Sequence, residues 1–509
     1  RRRKMVAERR DRHRTQDLLI MRRLAPLALL FVAGFFRLPA AEPIPEELQT
    51  PSGPGATAAR VTTTATGGRL VLSWIERLGG GTGALYCATL APDAAGWSPA
   101  YAVTAGPDLV INSMDTPQVV FGHERRAAAV WLRRSDQGTQ AWTARSLDEG
   151  LTWGPPQRLT TETPRQEFVA VGALPDGRFL AVWLDGRPAG ATALYGRIIG
   201  EDGPDTLIDD RVCDCCAIAL TVFPDGSALA VYRDRQDNEV RDLGQARWRA
   251  DTGWAVETSA LPADGWKIAG CPVNGPALSR VGAGLGLVWF TGAEDDPRMM
   301  ASTSATAGRR WSVGYRLSAP GPVAGHGGAA LLRNGTLWTS WQAANGDIAL
   351  RELRPGGRPS EILPQASATR GVPQFAVARD EPGKPTQLLL VYGVAGEDDS
   401  AEASRLVTTR LTLPTAEITL ADDCGCDPAV QAERGYAVRG EVTAVDREHE
   451  RLEISHFAVP GIVPAMTRTV RIDVRLLDVL QRGQPFLGRL EQRDDGDWWL
   501  FDVRLLRRP

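Results

Sequence analysis

Seven times along this chain a run of small and branched apolar residues ends in Trp or Tyr. The runs are LVLSW (Trp74), AAAVW (Trp131), FLAVW (Trp183), ALAVY (Tyr232), LGLVW (Trp289), LWTSW (Trp341) and LLLVY (Tyr392). Successive aromatic ends lie 49 to 57 residues apart. A period of about fifty residues, with strands and turns but few helical stretches, is the mark of a β-propeller. The expected fold is all-β, a β-propeller.

Within a unit an inner strand comes first, then a Gly turn such as PDG (175–177 and 224–226) or NG (334–335). The aromatic-ended strand follows, then an alternating third strand such as ALYGRII (193–199) or DIALREL (347–353), then a poorer fourth. Seven such units fit between about residue 58 and residue 422. The seventh offers only AEITLA as a fourth strand, so six blades and a closing strand are the alternative.

Residues 146–153 read SLDEGLTW, with Ser146, Asp148, Gly150 and Trp153 spaced as S-x-D-x-G-x-T-W. A degenerate copy, SATAGRRW (304–311), has Thr306 where Asp belongs. Such a segment is a turn: Asp148 accepts backbone N–H groups, Gly150 takes a conformation that a Cβ resists, and Trp153 packs between strands. This motif resembles the Asp-box of sialidases and related propellers. The resemblance implies a sialidase-type propeller and gives the box itself a structural role. Sialidases bring three arginines and a Tyr–Glu pair to the channel, their first arginine in an R-I-P motif. Here the equivalent segment is AARVTTT, with Arg60 and no R-I-P. The densest charged group is Tyr232, Arg233, Asp234 and Arg235, with Glu239 and Arg241, placed after a second strand and readable as a solvated salt-bridge ladder.

The segments just before the inner strands are NSMDTPQ (112–118), TPRQEF (163–168), VCDCCA (212–217), GCPVNGP (270–276), GHGGAA (325–330) and RGVPQF (370–375). In this register all six surround one mouth of the channel. Cys213, Cys215, Cys216, Cys271 and His326 then face the same end, a sulfur-rich set with an imidazole of the kind copper(I) or zinc takes. Asp115, Arg165, Glu167, Asn274 and Arg370 share that end. The alternative is a disulfide, Cys213 to Cys271, stapling two blades, with Cys215 and Cys216 free or paired. Cys87, alone in LYCATL, reads as a small core residue.

After DCGCDP, with Cys424 and Cys426, the pattern changes to five short alternating strands from Tyr436 onward, which fit a small OB-like barrel. HFAVPGIVPAMTRTVRI (456–472) resembles the CusF-type periplasmic copper-binding domain, which implies His456 and Met466 as copper(I) ligands. Val463 and Arg468 stand where that family carries further ligand or capping residues. The domain division is then 42–422 for the propeller, 423–435 for a C-x-C linker and 436–509 for the barrel.

Met21 opens two arginines, an apolar run from Leu24 to Phe36 and small residues at Ala40 and Ala41, so 21–41 read as a bacterial Sec-type signal peptide. An uncleaved anchor is the alternative. Residues 1–20 read as upstream sequence. The expected location is the periplasm or the exterior, with no membrane span in the mature chain. The 58 basic and 61 acidic side chains leave a formal charge of −3, which points away from nucleic acid. The whole resembles exported sialidase-like proteins that carry CDCC and CPVNGP motifs. Three readings follow. The first is copper handling (binding, chaperoning or sensing), with a metal ion or small ligand in the channel and another periplasmic copper protein as partner. The second is a sialidase-like exo-glycosidase or glycan-binding propeller. The third is a disulfide-stapled interaction scaffold.

Overall fold

The computed structural model describes residues 42–413 and 436–505, apart from short stretches at 66–67, 163–164, 189, 258–259, 356–358, 367–368, 396–400, 402, 450, 457–465, 473–476, 478–479 and 493–496. The chain divides into two units, Arg1–Thr415 and Ala416–Pro509.

The first unit is a seven-bladed propeller of four-stranded antiparallel sheets. The inner strands are Ala56–Thr63, Gln118–Phe121, Gln166–Ala173, Ala219–Val222, Ala277–Val281, Val323–Leu331 and Arg370–Arg379. The first strands of neighbouring blades meet one another around the ring. All seven aromatic-ended runs form second strands, from Leu70–Arg77 in blade 1 to Gln387–Val394 in blade 7.

Their apolar character has a direct cause. Leu70–Ile75, Ala127–Leu132 and the whole of Phe179–Asp185 are buried, because each sheet is packed on both faces. The core is accordingly split into layers between blades. One layer joins Val71 and Leu85 to Val119 and Trp131, the next joins Val130 and Leu132 to Val171 and Trp183, and so on around the ring. The last layer joins Leu389 and Val391 of blade 7 to Leu72 and Trp74 of blade 1. Each buried Leu or Val contributes roughly 1.5–3 kcal/mol. Three of the terminal indoles also find carboxylate acceptors: Trp74 Nε1 donates to Glu76 at 2.8 Å, Trp183 to Asp185 at 3.0 Å and Trp289 to Asp264 at 2.6 Å.

Blade 7 corrects the sequence expectation. Its outer strand is Ile44–Leu48, from the start of the described chain, paired antiparallel with the third strand Arg405–Thr412. AEITLA lies outside the described residues. The ring is thus closed by joining its two ends in one sheet, and each blade keeps one short outer edge strand.

The Asp-box sits between the third and fourth strands of blade 2. Thr152 N–H and Oγ–H donate to the two Asp148 oxygens at 2.9 and 2.6 Å. Gly150 N–H donates to Ser146 Oγ at 2.9 Å, and Trp153 Nε1 to the Gly150 carbonyl at 3.1 Å. Hydrogen bonds from Thr152 above all, then from Ser146, hold the Asp148 carboxyl down at about 2. In the copy at 304–311 the Thr306 hydroxyl accepts from Arg310 N–H at 2.9 Å, one short acceptor in place of two oxygens.

The second unit is a closed barrel of five strands: Tyr436–Asp446, Arg451–His456, Met466–Arg471, Trp498–Leu505 and Pro485–Gln492, in that spatial order. Val442, Leu452, Ile454, Phe486 and Leu490 fill its interior. No helix among the described residues is long and apolar enough to cross a membrane. The expected signal segment lies outside the described residues.

Candidate functional site

One end of the propeller channel is a cavity of about 110 Å³ whose wall takes residues from all seven blades. Arg60, Met114, Phe168, Cys215, Val273, His326 and Gln374 are among them. Ala58, Phe168, Val273 and His326 all have positive φ, between 49° and 54°. Ala58, Phe168 and His326 lie where the inner strands of blades 1, 3 and 6 slip register against their neighbours. Bulges of this sort re-aim side chains at the rim of a closed sheet system.

Beside the cavity the cysteines form a chain of sulfur atoms. Cys215 and Cys271 are joined as a disulfide, so the staple between blades 4 and 5 runs from Cys215 and not from Cys213. Cys213 Sγ lies 3.8 Å from Cys215 Sγ and 3.5 Å from Cys216 Sγ. Cys213 and Cys216 are buried free thiols, while Cys271 is exposed. Cys87 is a third buried free thiol, placed in the core between blades 1 and 2 as expected, where burial pushes it up to about 12.

Local structure explains why the sulfurs meet. Cys213 N–H donates to the Arg233 carbonyl at 2.9 Å, pinning the VCDCC turn to the end of blade 4's second strand. The hairpin after that strand folds back, with Asp234 N–H on the Asp242 carbonyl, and carries Arg241 over the turn. Arg241 N–H and Ile268 N–H then tie the hairpin to residues 266–268, which deliver Cys271. In GCPVNGP, Asn274 Oδ1 accepts from His326 N–H at 2.8 Å and its Nδ2 donates to the Ala324 carbonyl at 3.2 Å. Gly275 has to be glycine, because a Cβ there would stand 2.3 Å from the Ala217 carbonyl oxygen.

The two buried thiols are electrostatically opposite. The hydrogen bond with Cys216 and the Arg241 guanidinium at 3.3 Å outweigh burial and bring Cys213 down to about 6. Cys216 is driven well above the ordinary thiol value by that same hydrogen bond, by burial and by the neighbouring thiolate.

The charged group after blade 4's second strand is not a solvated ladder. Arg233 is buried and donates to the carbonyls of Arg241 (2.6 Å), Phe290 (2.7 Å) and Asn274 (3.2 Å). Tyr232 is buried and donates to Asp209 at 2.6 Å. Arg241 is buried too, with Glu239 at 3.0 Å and Asp214 at 3.3 Å as counter-charges. The sequence showed these charges but nothing in it separates a buried guanidinium from an exposed one.

Other expected residues are placed as follows. Asp115 is buried and accepts from Phe168 N–H at 2.8 Å; burial pushes its carboxyl up to about 7. Arg165 and Glu167 wall a separate groove of about 750 Å³ with Arg134, Asp214, Arg235 and Thr192. Glu167 is raised by partial withdrawal from water and then by the Asp214 charge. Arg370 is exposed at the start of its inner strand. His326 lines the mouth cavity, and burial lowers its imidazole. Among the described residues the potential ligand sets within 4.8 Å are Cys213–Cys215–Cys216 and Asp214–Cys215–Cys271, and His326 belongs to neither. In the barrel, buried His456 pairs across the sheet with exposed Met466. Arg468 donates to the Met466 sulfur at 2.8 Å and lies 4.3 Å from the Trp498 ring, so a cation already covers that thioether. Cys424, Cys426 and Val463 lie outside the described residues.

No protein-family model and no curated protein matches the sequence. Solved structures do. The BP39L lectin from Burkholderia pseudomallei is 11% identical, with a TM-score of 0.48 over 70% of this chain and 96% of the lectin. An α-L-arabinofuranosidase from Fusarium graminearum is 11% identical, with a TM-score of 0.40 over 73% of this chain and 98% of its own. A Hadza microbial sialidase is 15% identical, with a TM-score of 0.37 over 58% and 65%.

Proposed function

We propose that the channel-mouth face binds a hydroxyl-rich ligand of one or two sugar rings in the groove walled by Arg134, Arg165, Glu167, Asp214 and Arg235. The observation that carries this reading is the groove itself: about 750 Å³, with guanidinium donors and carboxylate acceptors in one wall. That size lies within the range of small-molecule sites, and vicinal hydroxyls need donors and acceptors side by side. Leu184 and Pro188 give the C–H face of a ring an apolar patch. The reading is binding rather than sialidase-type hydrolysis. Among the described residues the groove's wall has no tyrosine to pair with Glu167 as a nucleophile. The test is a glycan array followed by titration calorimetry of the full chain. The double variant Arg165→Ala, Glu167→Gln is expected to weaken binding roughly tenfold or more, since it removes hydrogen bonds to charged groups. Binding that is unchanged in the variant, or absent for every sugar class, would overturn the reading.

A second reading, soft-metal handling in an exported protein, is favoured by one observation: three cysteine sulfurs mutually within 4.8 Å. Such a set suits copper(I), or zinc with Asp214, once Cys215–Cys271 is reduced. His456 and Met466 would serve as a transfer site toward another copper protein. Anaerobic copper(I) titration of the oxidised and the reduced chain tests it. Tight binding is expected after reduction alone, lost when Cys213, Cys215, Cys216 and Cys271 are all Ser. Tight binding that survives those four substitutions would move the site to the barrel and linker.

A further inference from the structure

We infer that the four channel-mouth cysteines are a thiol–disulfide exchange relay, in which the buried pair Cys213 and Cys216 and the rim pair Cys215 and Cys271 trade one disulfide bond. Three observations carry it. The sulfurs are within mutual reach: Cys271 is bonded to Cys215, Cys213 lies 3.8 Å from Cys215 and 3.5 Å from Cys216, and Cys213, Cys215 and Cys216 are all within 4.8 Å of one another. The two pairs differ in access, with Cys271 exposed and Cys216 buried. A single guanidinium, Arg241, donates to Cys213 at 3.3 Å, and Asn274 N–H donates to Cys216. A staple whose only task is to tie two blades has no need of two further sulfurs within reach of it.

The exchange balances within the protein. The Cys213 thiolate attacks Cys215 Sγ; the Cys213–Cys215 bond forms as Cys215–Cys271 breaks, and Cys271 leaves as a thiolate that takes a proton from water. Cys216 then loses its proton to water and attacks Cys213 Sγ. The Cys213–Cys216 bond forms, and Cys215 leaves as a thiolate. Two electrons have passed from the buried pair to the rim pair, and the number of disulfides is unchanged. Oxidation of the rim dithiol by an external disulfide draws the transfer in this direction. The rim dithiol then reduces a small-molecule disulfide, RSSR, to two RSH and is itself returned to Cys215–Cys271. The pairs at both ends of the relay are now oxidised. This activity is independent of what occupies the groove.

The test uses the full wild-type chain, with acid quenching, alkylation of free thiols in denaturant and peptide mapping of disulfides. Incubation with oxidised glutathione is expected to add a Cys213–Cys216 bond to the existing Cys215–Cys271 bond and to release two glutathione thiols per chain. In Cys216→Ser the transfer is expected to halt at Cys213–Cys215, with Cys271 alkylated or carrying glutathione. Cys213→Ala, which leaves the staple in place, is expected to release none, and circular dichroism melting checks that both variants fold. Wild-type protein in which Cys213 and Cys216 remain alkylatable thiols after the incubation, beside an intact Cys215–Cys271 bond, would overturn the relay. So would equal glutathione release from Cys213→Ala.

Discussion

The Arg241 guanidinium donates to the Cys213 sulfur at 3.3 Å although the two residues stand 28 positions apart in the chain. Both are buried, and the Arg241 cation, which also faces Glu239 and Asp214, favours the thiolate form of Cys213.

Removing that cation is expected to raise the Cys213 thiol from about 6 toward the ordinary value, because burial alone pushes a thiol up. In Arg241→Gln the thiolate absorbance of the chain with Cys215–Cys271 intact should titrate at distinctly higher pH than in wild type. An unchanged midpoint would show that the hydrogen bond with Cys216 suffices.

Asp115 gives a pH dependence of known sign. Its carboxyl is raised to about 7 by burial, above the unfolded value, so the folded state binds a proton more tightly than the unfolded state. This stabilising contribution is complete below about pH 4 and is lost as pH rises to 7, on the order of a few kcal/mol. Asp115→Asn keeps an acceptor for Phe168 N–H and cannot ionise. Urea unfolding is expected to show that the falling limb between pH 4 and 7 shrinks in the variant. The two proteins should diverge most above pH 7.

The closing strand makes a third prediction. Leu48 is 4% exposed and packs in the layer between blades 7 and 1, while Ile44 on the same strand is 64% exposed. Leu48→Ala should cost about 2–4 kcal/mol and Ile44→Ala about 0.5 kcal/mol or less. Equal effects by denaturant titration would mean that the ring does not depend on this strand.

Gly150 of the Asp-box has φ +79°, and a Cβ there would stand 2.9 Å from the Phe121 ring. Gly150→Ala is expected to cost about 1–3 kcal/mol. Gly308 holds the same place in the degenerate copy, with φ +81° and Leu229 at 2.8 Å, and should be comparably intolerant. Thermal melts of the two single variants compare them directly.

The propeller was legible because each blade needs cover on both faces, which writes an apolar, aromatic-ended run into the chain once per sheet. Turn glycines and the Asp-box are legible for a similar reason: their conformations are local and few residues allow them. The five alternating strands of the barrel and the core role of Cys87 belong to the same class. The seventh blade's outer strand was not legible, because Ile44–Leu48 pairs with residues more than 350 positions away and carries no periodic signal of its own. Nor was the disulfide partner: Cys213 and Cys215 are two residues apart, and only the path of the turn decides which sulfur meets Cys271. The same holds for Arg233 and Arg241, which the sequence presents as two more charges in a polar hairpin. Local patterning therefore determined most of the strands and the repeat, and left six or seven blades open. Which side chains share a site was decided by tertiary closure, since the hairpin of blade 4, the entry to blade 5 and the VCDCC turn meet only when neighbouring blades pack.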